Sequence, residues 1–421
     1  MLDEFRIRTA ADSCAKDSCP SSTAPILLEA PASGVPPVIT TQLGLTRALE
    51  RLKALTGPVA IDTERASGIR YGQRAFLIQL KRAGTAPVLI DPIASIDLEP
   101  LYQFLAPQEW VLHAATQDLP CLRELELIPR RIFDTELASR LAGYQKVGLA
   151  SMVEQLLGYT LKKEYSSVDW SSRPLPKEWL VYAALDVEVL VDLRDALEEV
   201  LREQGKLQYA LEEFDYIVRT NHPQKPRDPW RKTKGIHELS TRAQLTVLRN
   251  LWYEREHLAE CKDIAAKRLL PDASLVQAAL ETPRTVPQLL KIPGFQTRAL
   301  AREAPRWIRA IARVRQEKDY VPFTIPSQGP PPLKSWECRR PLSLALIQEA
   351  KIAVNQLSED IKIPHNNILT PDTLRRVCWN LPDMSSPESL ENELIALDAR
   401  PWQVQLTMPV LLPLFEKFHT P

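Results

Sequence analysis

Val-Ala-Ile-Asp-Thr-Glu, residues 59 to 64, is an apolar run that ends in two carboxylates one residue apart. Side chains alternate across a strand, so a strand here sets Asp62 and Glu64 on one face. Two acids placed so closely repel unless a cation lies between them, and the pattern marks a metal site. Taken alone, Asp-x-Glu after an apolar run is more often a solvated strand end. Two further acids shift that balance: Asp118, closing Val-Leu-His-Ala-Ala-Thr-Gln-Asp (111 to 118), and Asp186, closing Tyr-Ala-Ala-Leu-Asp (182 to 186). Tyr182 and Asp186 stand four residues apart, hence on one face of a helix. Each word is weak alone, and their order and spacing together carry the reading.

In that order the motifs resemble those of the DEDD 3′-5′ exonucleases, and more closely the ribonuclease D family. Flanking segments strengthen the likeness: Arg-Tyr-Gly-Gln-Arg-Ala-Phe-Leu-Ile-Gln-Leu (70 to 80) and Asp-Trp-Ser-Ser-Arg-Pro-Leu-Pro (169 to 176). The resemblance implies an α/β, ribonuclease H-like exonuclease domain of the tyrosine subtype, built on a mixed sheet. It implies that Asp62 bridges two divalent ions, that Glu64 and Asp186 hold the nucleophile-side ion, and that Asp118 supports the second. Tyr182 would orient the attacking water, since a phenol with a reference pKa near 10 is a poor base at neutral pH. Gln79 and His113 correspond to positions that line the substrate groove, and each also reads as a side chain paired with backbone. Oxygen-only ligands suit Mg²⁺ or Mn²⁺, whereas zinc would favour His or Cys.

Outward from this centre the chain divides. Residues 1–40 are rich in Ser, Ala and Pro and predict a loose extension. The exonuclease domain spans 41–215. Strands are predicted at 58–63, 75–80, 87–91 and 110–113, the first three as an antiparallel meander, with helices near 116–126, 134–142 and 176–204. Residues 216–233 form a Pro-rich basic linker with Pro223, Pro226 and Pro229 and with Lys225, Arg227, Arg231 and Lys232, which reads equally as a soluble spacer or a phosphate contact. Because the whole acid set precedes it, a chain ending near Asp228 is expected to keep its activity on short strands.

Beyond the linker only helical spacing appears, as in Leu245, Leu248, Trp252, Arg255 and Leu258. Leu-Leu-Pro-Asp (269 to 272) and Ile-Pro-Gly (292 to 294) resemble the helicase-and-RNase-D C-terminal (HRDC) domain over 234–318, a nucleic-acid-binding bundle. Arg306, Arg309 and Arg313 recur on one helical face, with phosphate binding weighed slightly above a solvated face. A second Pro-rich linker, 319–336, precedes residues 337–421, where Leu-Thr-Pro-Asp (369 to 372) echoes the earlier words and predicts a divergent second bundle of the same type.

At 421 residues and 44% apolar content, two or three domains are expected. Six scattered Cys, without a Cys-x-x-Cys pair, fit reduced thiols and a cytosolic compartment. No apolar run reaches spanning length, so a soluble cytoplasmic protein with no membrane partner is expected, and no obligatory protein partner is evident. The formal net charge is +0, so nucleic-acid binding needs local basic surface rather than overall charge. The leading function is trimming of RNA 3′ ends, tRNA precursors being what the family implies. A DNA exonuclease of repair or proofreading type uses the same acids, and an idle RNA-binding scaffold is disfavoured by the complete acid set.

Overall fold

A computed structural model describes residues 24–162, 165, 167–221, 227–317, 320–325, 329–381 and 387–419. The extension up to residue 23, the linker residues Pro223, Lys225 and Pro226, and Pro326 of the second linker lie outside the described residues.

Among the described residues eight strands form two sheets: Ile26–Leu28 (β1), Val38–Ile39 (β2), Val59–Arg65 (β3), Ala75–Arg82 (β4), Val88–Ile90 (β5), Glu109–Leu112 (β6), Arg131–Asp134 (β7) and Tyr159–Leu161 (β8). The six-stranded sheet runs β2-β5-β4-β3-β6-β7. β3, β4 and β5 are antiparallel neighbours, while β6 is parallel to β3 and to β7. This is the mixed sheet that the sequence predicts, fed by a meander. Helices Gln42–Lys53 (α1), Glu99–Leu105 (α2), Leu119–Glu124 (α3), Thr135–Leu141 (α4), Leu149–Leu157 (α5), Lys177–Glu188 (α6), Leu190–Glu203 (α7) and Leu207–Thr220 (α8) surround it.

Three sequence expectations change here. The extension does not stay loose to residue 40: β1 pairs with β8 and β2 with β5, in segments too short to show periodicity. The single helix expected over 176–204 is two, broken at Val189, whose N–H turns back to the Val187 carbonyl. Apolar spacing continues through that break, so the pattern hides it. The first linker does not begin at 216, since α8 runs to Thr220, and its end is packed: Trp230 is fully buried and Arg231 donates to the Pro322 and Phe323 carbonyls.

Two all-helical parts follow. The middle one comprises Arg242–Lys262 (α9), Ala266–Leu269 (α10), Asp272–Glu281 (α11), Val286–Leu289 (α12), Arg298–Ala301 (α13) and Ala304–Ala312 (α14). The C-terminal one comprises Trp336–Arg339 (α15), Pro341–Ile361 (α16), His365–Ile368 (α17), Pro371–Asn380 (α18), Pro387–Ala396 (α19) and Pro401–His419 (α20). Helices α9, α10 and α11 have 21, 4 and 10 residues, and α16, α17 and α18 have the same lengths. In both series the first and third helices end on a left-handed residue: Asp263 and Thr282 in one, Lys362 and Leu381 in the other.

These two parts attach to the sheet domain differently. The buried apolar residues of the middle part form a cluster of their own around Trp230, Leu248 and Trp307. Its contact with the sheet domain is polar: Arg70 and Arg74 meet Asp263, and the Ala265 N–H donates to the Ile69 carbonyl at 2.9 Å. The C-terminal part instead shares one core with the sheet domain. Trp402 is 1% exposed and stacks on Tyr209 of α8 at 5.0 Å between ring centroids. Its indole N–H donates to Glu213 at 2.9 Å, and Arg400 pairs with that same carboxylate at 2.6 Å.

Trp402→Ala is therefore expected to cost about 3–5 kcal/mol, the usual range for emptying a buried aromatic site, read as a lower denaturation midpoint. A chain ending near Asp228 would expose this whole face of α8, so such a chain is expected to be unstable, contrary to the sequence expectation. No helix among the described residues is long and apolar enough to cross a membrane.

Candidate active site

Strand β3 carries Asp62 and Glu64 to one face of the sheet, and its register shifts just after Glu64. Helix α6 crosses that face on its small residues Ala183 and Ala184, both fully buried, and delivers Tyr182 and Asp186 beside the strand acids. Carboxylate oxygens of Asp62, Glu64 and Asp186 lie within 4.8 Å of one another. Asp118, 4% exposed, stands at the entry of α3 and lines the same groove, a cavity of 380 Å³.

Asp118 is held from two sides. Thr63, whose side chain alternates away from Asp62 and Glu64, donates its hydroxyl to Asp118 Oδ1 at 2.7 Å. The Cys121 thiol donates to the Asp118 carbonyl at 3.0 Å. The preceding loop turns through Ala114 at a φ of 62°, and the N–H groups of Ala114 and Ala115 donate to Asp134 at 3.0 and 2.9 Å. Asp134 also caps α4 by accepting from Glu136 and Leu137 N–H. One buried carboxylate thus ties the loop that presents Asp118 to the helix behind it.

Burial raises every acid of the groove. Asp62 and Glu64 are held well above the usual carboxylate range by burial and then by their neighbouring acids. Asp118 is pushed up to about 6 and Asp186 to about 7, again by burial first, with hydrogen bonds from Thr63 and Tyr182 opposing. Tyr182 donates its hydroxyl to Asp186, and burial followed by the Asp186 charge raises the phenol above its ordinary value. Its ring packs edge-on to Tyr165 at 6.1 Å and beside Trp170 at 6.5 Å. A phenol so placed stays protonated and acts as a donor.

The stability consequence has a definite sign. In the unfolded chain these acids titrate near 4, and in the fold Asp118 and Asp186 titrate near 6 and 7. Between about pH 4 and 7 these acids hold more protons in the folded state than in the unfolded one, so their contribution to the stability of the metal-free protein falls as pH rises through that window, and it outweighs the opposite contribution of the single buried His113. Thermal melts in chelator should give a lower midpoint at pH 8 than at pH 5, with saturating Mn²⁺ recovering the difference. Equal midpoints in chelator would contradict the burial of these charges.

The remaining site expectations fare unevenly. His113 lines the groove, its Nδ1 2.8 Å from the Thr135 hydroxyl, and burial pushes its ring down to about 4. Gln79 does not reach the groove: it sits opposite Asp62 in the β3–β4 ladder, yet it is 0% exposed beneath the covering helix. Among the described residues its amide nitrogen and oxygen have no hydrogen-bond partner. The stripe of Arg306, Arg309 and Arg313 is not a free basic face, because Arg306 pairs with Glu254 and Glu303 and Arg313 with Glu254. Arg309 remains exposed. Thr63, Arg65, Gln117 and Lys162 also line the groove, and the sequence reading missed them. Only Thr63 carried a signal, its place between the two strand acids.

The arrangement matches known proteins along most of the chain. Residues 36–202 match the family model described as 3′-5′ exonuclease, residues 244–311 the HRDC domain, and residues 329–415 a 3′ to 5′ exonuclease C-terminal domain. Ribonuclease D of Gluconacetobacter diazotrophicus is 31% identical over 350 residues, 81% of this chain and 86% of that protein. The chain belongs to the ribonuclease D family.

Ribonuclease D of Zymomonas mobilis is 32% identical over 266 residues, covering 62% of this chain and 67% of that protein. Among solved structures, a protein from Bifidobacterium adolescentis superposes with a TM-score of 0.84 at 34% identity, covering 93% of this chain and 100% of that one. Escherichia coli RNase D, described as an exoribonuclease involved in structured RNA processing, gives a TM-score of 0.67 at 25% identity over 91% of this chain and 99% of that one. As a ribonuclease D relative the chain is a 3′-5′ exoribonuclease of a metal-dependent family, with an HRDC domain following its mixed-sheet nuclease domain.

Proposed function

We propose that the groove holds two divalent cations, Mg²⁺ or Mn²⁺, on Asp62, Glu64, Asp118 and Asp186, and hydrolyses RNA from its 3′ end. The observation that carries this reading is the close convergence of the Asp62, Glu64 and Asp186 carboxylates. Like charges so near one another are costly when buried, and an oxygen-only donor set suits hard cations. Such ions, when bound, supply positive charge that lowers the pKa of water and stabilises a leaving oxygen. The chain's own contributions are orientation and shape. Asp62 would be shared by the two cations, Glu64 and Asp186 would hold one of them, and Asp118, fixed by Thr63, would support the other. Tyr182, protonated and tethered to Asp186, directs the attacking water toward the phosphodiester.

Natural substrates on this reading are RNA 3′ ends, tRNA precursors among them, met in the cytoplasm. The nuclease domain of 41–215, with its ribonuclease H-like fold, does the chemistry. Residues 234–318 and 337–421 are two copies of one HRDC-type module, a reading supported by their equal helix lengths and matching left-handed ends. RNA labelled at its 5′ end, incubated with Mn²⁺, should give a descending ladder and release 5′-phosphate mononucleotides. Cleavage of circular RNA would overturn the exonuclease reading, and faster shortening of DNA of the same sequence would move the substrate to DNA.

A further inference from the structure

The proton on His113 can be located. Thr135 is 0% exposed, and its Oγ1 lies 2.8 Å from His113 Nδ1 and 3.1 Å from the Leu112 carbonyl oxygen. A hydroxyl has one proton and a carbonyl can only accept. Were that proton aimed at Nδ1, two oxygen lone pairs would face each other in a buried site with no hydrogen between them. The proton therefore goes to Leu112, and His113 Nδ1 donates to Thr135. A neutral imidazole with its proton on Nδ1 keeps only a lone pair on Nε2.

Burial keeps the ring neutral, with its pKa lowered to about 4. The acid acting on the ring, Glu136, is itself paired with Arg140 at 2.5 Å. Among the described residues no protein group bonds Nε2, and the ring lines the groove of the clustered acids. An acceptor on that wall repels phosphate oxygens and matches an O–H or N–H donor. Base amino groups occur on only some nucleotides, whereas each RNA nucleotide carries a 2′-hydroxyl, the group that separates RNA from DNA.

We propose that His113 Nε2 accepts a hydrogen bond from the 2′-hydroxyl of a nucleotide at the RNA 3′ end, making it the residue that favours ribose in this groove. The inference rests on the groove being the RNA site. Thr135 is the positioning residue, since it holds the proton on the far nitrogen.

The test has two arms. In the first, the full chain with ¹⁵N-labelled histidine is studied at pH 7, the His113 signals being assigned by their loss in His113→Phe. The Nδ1-protonated tautomer is expected, and the Nε2-protonated form or an imidazolium would overturn the proposal. In the second, wild type and variants compete for RNAs carrying a single 2′-deoxy sugar at the last or next-to-last nucleotide, or a 3′-deoxy end. Wild type should favour the all-ribose strand over one of the 2′-deoxy strands by about 3- to 10-fold, the reach of one neutral hydrogen bond. In His113→Phe that ratio should fall to about 1, with Mn²⁺ affinity and melting temperature retained, and His113→Gln, which restores an acceptor oxygen, should recover part of it. Thr135→Val keeps the imidazole but frees its tautomer, so the ratio should fall there too, which keeps the test alive if His113→Phe is unstable. A ratio unchanged in these variants, or a His113-dependent loss confined to the 3′-deoxy end, would overturn the proposal. If wild type shortened no RNA, the nuclease reading would fail, while the tautomer arm would still judge His113.

Discussion

Asp62→Asn is expected to abolish metal-dependent RNA shortening while raising the melting temperature of the metal-free protein. The two effects share one cause. In the apo fold Asp62 is held well above its usual range by burial and by the charges of Asp118 and Asp186, so its carboxylate opposes folding. An amide of the same shape removes that opposition. It also removes the oxygen charge to which the cations would bind. A catalytic metal contributes several kcal/mol of transition-state stabilisation, and each 1.36 kcal/mol is tenfold in rate, so the loss should be at least about 10³-fold. Single-turnover rates with Mn²⁺, calorimetric titration of Mn²⁺ and melts in chelator check the three parts separately. A variant that kept its rate would exclude Asp62 from the chemistry. One that lost its rate and also melted lower would point to a structural role.

Tyr182→Phe should separate from that behaviour. The phenol hydroxyl donates to Asp186, whereas the ring is held by Trp170 and Tyr165. Phenylalanine preserves the ring contacts and deletes only the donor. A positioned proton-handling group typically contributes about 10²- to 10⁴-fold, so kcat should fall within that range with Mn²⁺ affinity nearly unchanged. Loss of the hydroxyl also removes a bond that favours the Asp186 carboxylate, so metal-free Asp186 should titrate higher in the variant. Full retention of rate would make Tyr182 a packing residue and exclude the tyrosine-subtype mechanism here.

What the sequence shows and what it hides follow from range. Asp-Thr-Glu occurs twice, at 62–64 and at 134–136, with different jobs. At 62–64 it lies inside a strand, where alternation turns both acids to the groove. At 134–136 it straddles a strand end and a helix start, so Asp134 becomes a cap and Thr135 turns back to Leu112. The first is legible because Val-Ala-Ile precedes it and two further acid motifs follow. The second depends on where the strand stops. Gln79 illustrates the opposite failure: pairing opposite Asp62 puts it on the proper face, but the covering helix that seals it lies about a hundred residues downstream. The Arg306 and Arg313 stripe reads as free cations because Glu254 sits on another helix. Strand positions and the helical character of the second half needed only local periodicity, and the acid set needed the order of its motifs and the family resemblance that they carry. Helix breaks, edge strands and ion pairs between helices needed the fold.

The unequal joints of the two helical parts give the molecule two different sensitivities. The Arg70, Arg74 and Asp263 cluster is partly exposed charge, which added salt screens over a Debye length of about 8 Å at physiological ionic strength. The Trp402 joint is buried apolar surface with a sheltered ion pair, which salt leaves intact and excluded osmolytes tighten. Ionic strength therefore acts as a dial on one wall of the particle and not on the other.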